Sequence, residues 1–65
     1  MNVFTFVCLK KNEASTAVDV QMLPESAYRD HARHLLAEHA SADAIEVWRD
    51  KEAIDRIERD ERQRG

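Results

Sequence analysis

The sequence predicts a single α+β domain: a three-stranded sheet of order 2-1-3, antiparallel or mixed, with one packed helix and a charged C-terminal helix or tail. Three observations predict it. The chain has 65 residues, enough for one core and too few for two. Apolar residues alternate with polar ones, or run together, in three short segments, which is the mark of strands. Between the second and third of these, a longer segment repeats its apolar residues at helical spacing. Residues 1–49 form the expected ββαβ core, and residues 50–65 extend the same domain.

The first strand is residues 3–9, rich in β-branched and aromatic side chains and too short for a helix. Alternation places Phe4, Phe6 and Cys8 on one face and Val3, Thr5, Val7 and Leu9 on the other. Both sets are mostly apolar, so this strand belongs in the centre of the sheet. Residues 10–16 are polar and contain Asn12 and Ser15, whose side chains favour turns by bonding nearby backbone. The second strand follows, with Val18, Val20 and Met22 alternating with Ala17, Asp19 and Gln21; one face should be wet and the strand half buried.

Pro24 suits the first turn of a helix, where its missing N–H is not needed, and Glu25 meets the positive end of the helix dipole. The helix is expected from residue 24 to about residue 40, with Tyr28, Ala32, Leu35, Leu36 and His39 on the stripe that covers the sheet. Alternation returns at residues 44–49, where Ile45 and Val47 oppose Glu46 and Trp48, giving the third strand. A crossover through the helix needs room between the second and third strands, and the apolar first strand fills it.

The last segment has few apolar residues, among them Ile54 and Ile57, but it carries acid and arginine four apart: Glu52 with Arg56, Asp55 with Arg59, Glu58 with Arg62, and Asp60 with Arg64. Such pairs support a helix by a few tenths of a kcal/mol each, so a helix is the favoured reading. The competing one is a turn at residues 49–51 followed by an edge strand over residues 53–57.

Composition excludes several function classes. Net charge is −3, and a basic footprint of the kind nucleic-acid binding leaves is absent; Arg29, Arg33 and the tail arginines sit among as many carboxylates. Cys8 is the only cysteine, so no disulfide forms within the chain, and a reducing, cytoplasmic setting is expected. Residues 3–9 are too short for a signal sequence core and have no basic segment before them. No stretch approaches the roughly 20 apolar residues of a membrane span. The sole glycine is Gly65, which leaves no phosphate-cradling loop, and the carboxylates show no catalytic pairing. No enzyme activity and no cofactor are expected.

Two constellations stand out. His31, His34 and Glu38 project from one side of the helix, and two imidazoles with a carboxylate form a candidate transition-metal patch. The alternative is a solvated polar face, since no other segment supplies a fourth ligand. His39 is expected to cap carbonyls at the helix end, and Cys8, mid-strand beside Phe4 and Phe6, to be packed in the core. The second constellation is Trp48, which parity places on the sheet face away from the helix with Val3, Val7 and Leu9. One helix covers one face of a sheet, so the other needs either a partner protein or the tail, folded back to bring Ile54 and Ile57 over it.

The run Ala32-Arg33-His34-Leu35-Leu36-Ala37, followed by Ile45-Glu46-Val47-Trp48-Arg49, resembles a loose group of small uncharacterised proteins common among alphaproteobacteria, built as strand, strand, alanine-rich helix and a Glu-Val-Trp strand. Those proteins have no assigned activity, and most continue after the tryptophan with a glycine-containing turn and a further strand. This chain has Arg49-Asp50-Lys51 there. Taken together, the sequence points to a small non-enzymatic protein–protein interaction module, most simply a homodimer. Its interface would be drawn from Val3, Val7, Leu9, Trp48, Ile54 and Ile57, and its partner would be itself or another protein, with neither nucleic acid nor membrane. The alternative is a metal-binding or metal-sensing protein using His31, His34 and Glu38.

Overall fold

The computed structural model describes residues 1–59. Among them, strands β1 (Asn2–Leu9), β2 (Ser15–Leu23), β3 (Ala44–Arg49) and β4 (Glu52–Glu58) form one sheet of order β2-β1-β3-β4. Every neighbouring pair is antiparallel. Between β2 and β3 the chain makes a 3-10 turn over Glu25–Ala27 and then helix α1, Tyr28–Glu38. The fold is α+β with the expected 2-1-3 order, but its sheet is one strand larger than the sequence predicts.

The most apolar strand is central for the reason its sequence suggests. Phe4, Phe6 and Cys8 face α1 and are fully buried, packed with Ala32, Leu35 and Leu36 of the helix and with Ile45 and Val47 of β3. Each large apolar side chain so buried contributes about 1.5–3 kcal/mol. The Phe4 ring lies 5.2 Å from that of Tyr28, and the His31 ring meets Phe6 edge-on at 4.7 Å, within the range where aromatic pairs attract beyond simple burial.

The favoured helix after residue 49 is overturned: β4 is an edge strand. The misleading cue was the acid and arginine pairs four apart, and Ile54 and Ile57, three apart, find their burial without a helix. In β4 a bulge solves the same problem, because Val47 pairs with Asp55 and Trp48 with Ala53, leaving Ile54 as the extra residue. Both isoleucines thereby pack on the helix-side core. A short helix with so few apolar contacts is marginal alone, whereas the strand also satisfies the otherwise open backbone edge of β3. The four-apart pairs dissolve accordingly. Arg56 bonds Glu13 and Glu58, and Asp55 bonds Arg29; the arginines at 62 and 64 and the acid at 60 lie outside the described residues.

Both hairpins turn without glycine. In the β1–β2 loop the Ala14 N–H donates to Asn12 Oδ1 at 3.0 Å, the local bond expected of Asn12, and Glu13 takes φ 66°. At the β3–β4 turn Asp50 takes φ 57° and lets Arg49 pair directly with Glu52. Aspartate tolerates this left-handed region better than most residues.

Strand β2 differs from expectation in which side it buries. Its pairing with β1 sets Ala17 beside Cys8, Asp19 beside Phe6 and Gln21 beside Phe4, so its polar set points to the helix side and Val18, Val20 and Met22 to the open side. Helix α1 packs chiefly on β1, β3 and β4. The inner side of β2 is therefore only partly covered, and small or hydrogen-bonded side chains fit there.

Candidate interaction surface

The open face of the sheet is the surface on which the functional question turns. Val3, Thr5 and Val7 of β1 stand on it in register with Met22, Val20 and Val18 of β2, and Trp48 stands opposite Thr5 on the other side. Parity thus brought Val3, Val7 and Trp48 together as the sequence predicts. It did not foresee the second row: Val18, Val20 and Met22 are 60%, 58% and 64% exposed, and Val3 49%. The cue was present in the alternation of β2; what local sequence lacks is the sideways position of the helix, which decides the face that is buried.

The rest of the face is closed by polar contacts. Trp48 is half-buried and its indole Nε1–H donates to Glu46 Oε1 at 2.8 Å. Arg56, on β4, reaches back to the β1–β2 loop and donates from both terminal nitrogens to the two Glu13 oxygens, at 2.8 and 2.7 Å. Such a forked pair holds the Glu13 carboxyl below its ordinary value and raises the guanidinium. At this end Leu9 and Ala44 are buried. The face is therefore apolar toward β2 and charged toward β4. Ile54 and Ile57, the remaining interface candidates, lie on the opposite, helix side of the sheet and cover none of it.

The candidate metal patch is divided between other duties. His31 Nε2 lies 2.7 Å from Asp19 Oδ2, and this bond, ahead of the one from Gln21, holds the Asp19 carboxyl below the usual carboxylate range. His34 pairs instead with Glu38 one turn on, at 3.4 Å. Among the described residues no group of three or more histidines, cysteines or carboxylates is placed to hold a metal ion. Cys8 is buried, and burial pushes its thiol up, with Asp19 adding to the shift; that environment suppresses the nucleophilic thiolate.

At the helix end the carbonyls are met by a residue the sequence reading assigned to a helical ion pair. Arg59 donates to the Leu36, His39 and Ala42 carbonyl oxygens at 2.7, 3.2 and 2.8 Å, so the cap comes from beyond β4 rather than from the His39 ring. The start of α1 is tied to the same strand. Tyr28 Oη donates to Asp55 Oδ2 at 2.9 Å and Arg29 Nε at 3.1 Å; the tyrosine, then the Arg56 backbone N–H and Arg29, hold the Asp55 carboxyl low. Arg49 pairs with Glu25 at 2.6 Å and Arg33 with Asp30 at 3.3 Å, so these arginines face carboxylates. Among the described residues no helix is long and apolar enough to cross a membrane. Compared with protein-family models, curated proteins and solved structures, the chain shows no match.

Proposed function

We propose that this chain is a non-enzymatic protein–protein interaction module that associates with a second copy of itself through the β2 side of its open sheet face. The observation that carries the reading is the row Val18, Val20 and Met22 beside Val3, four apolar side chains about half exposed or more on one contiguous surface. Small monomeric proteins tolerate scattered exposed apolar residues, whereas a contiguous patch marks a contact site. A chain of this size gains only a few kcal/mol from its own core, and association adds to it. The patch carries no charge, so two copies of a protein with net charge −3 can meet there without like charges in contact. A cytoplasmic setting belongs to the same reading, supported by Cys8 being the only cysteine. Light scattering coupled to size exclusion tests it. The expected mass is twice the 7.5 kDa of one chain at micromolar concentration, and a single-chain mass across that range would overturn it.

A further inference from the structure

Resting on the reading that the chain self-associates, we infer that the contact is made edge to edge: the free edge of β2 pairs antiparallel with β2 of a second copy about a two-fold axis through Val20, doubling the width of the sheet. Among the described residues the sheet has two free edges, and their chemistry differs. β4 carries Glu52, Asp55, Arg56 and Glu58 and a bulge at Ile54, the devices by which proteins keep an edge from pairing. β2 is longer, at nine residues, with no proline, glycine or lysine, and its own bulge, at Thr16, lies near its start and leaves Val18 to Met22 in regular pairing. Its single charge, Asp19, is already held by His31 and by Gln21 Nε2 at 3.2 Å. An edge strand of this kind presents unpaired N–H and C=O groups ready to accept another strand.

The occupant is a second copy because β2 is complementary to itself in the register centred on Val20. With the axis at Val20, Val18 faces the partner's Met22, Val20 faces the partner's Val20, and Asp19 faces the partner's Gln21, a carboxylate against an amide. Moving the axis one residue to Asp19 would set carboxylate against carboxylate, which destabilises a cross-strand pair. Residues facing each other share a side of the sheet, so both helices stay on one side and the two open-face rows merge into one apolar band. The helix leaves room for this, since α1 packs chiefly on β1, β3 and β4.

The test is amide hydrogen exchange on the intact chain at concentrations above and below its dissociation constant, read beside Trp48 emission, with Val20→Lys as the variant. Val20 is 58% exposed, so the variant keeps its fold, which circular dichroism verifies. Edge pairing predicts that alternate β2 amides gain protection on association while those of β4 do not. It also predicts that Trp48, two strands away, keeps the same emission on dilution, and that Val20→Lys weakens association by about tenfold or more. A dimer in which dilution shifts Trp48 and leaves β2 exchange unchanged, or in which Val20→Lys binds as tightly, overturns the edge contact while self-association stands. A single-chain mass at every concentration overturns both.

Discussion

β2 and β4 are the two edge strands of one sheet, and they are held in opposite ways. β4 is poor in apolar residues, yet the segment it begins is tied at three places. Asp55 anchors the start of α1, Arg56 grips the β1–β2 loop, and Arg59 closes the end of α1. β2 has the richer apolar row and leaves it in solvent, with Asp19 and His31 as its tie to the helix. Apolar content alone therefore does not locate the core of this protein. The helix decides, by covering β1 and β3 and leaning toward β4, and the surplus apolar residues of β2 become surface.

Substitutions at the two edges should separate these modes of attachment. The largest effect on folding is expected from Arg59→Ala, which strips a charged donor from three carbonyls at the helix end; hydrogen bonds to charged groups contribute about 1.5–3 kcal/mol. Urea unfolding measures it. Val18→Ala on β2, by contrast, should change the stability of the single chain by less than about 0.5 kcal/mol, as exposed positions do. Equal losses at both sites would break the contrast.

Acid should act on both edges. Asp19 and Asp55 have carboxyls held below their ordinary value, so the folded state binds their protons less readily than the unfolded chain. The stability each contributes is present above the ordinary carboxylate value near 4 and is lost as pH falls through it toward the lower folded value. Thermal melts between pH 6 and about 2 should show this decline, shallower in Asp55→Asn. A decline that Asp55→Asn leaves unaltered would remove Asp55 from the account. One substitution should give a gain. Asp50→Gly relieves the left-handed residue of the β3–β4 turn and should raise stability by a few tenths to about 1 kcal/mol, since no side-chain bond of Asp50 is broken.

Much of the fold was legible because its signals are local. The central place of β1 followed from two apolar faces, the turn at Asn12 from its side-chain chemistry, and the shared face of Val3, Val7 and Trp48 from parity. The facing of β2 was not legible, because alternation says that two faces differ without saying which one the helix will cover. β4 was misread because acid and arginine at i to i+4 support a helix only where the backbone is already helical. The bulge at Ile54 re-aims Ile54 and Ile57 to the same side, and arginines spaced for helical pairing instead reach Glu13 and the Leu36, His39 and Ala42 carbonyls far along the chain.

The placement of Arg59 also bears on the order in which the protein is made. A chain emerging from the ribosome exposes α1 about twenty residues before the arginine that donates to its Leu36 carbonyl. Until then the helix end is open to water and free to fray. When β4 pairs with β3, Arg59 brings a charged donor to that end, so a strand made later in the chain closes an element begun in its middle.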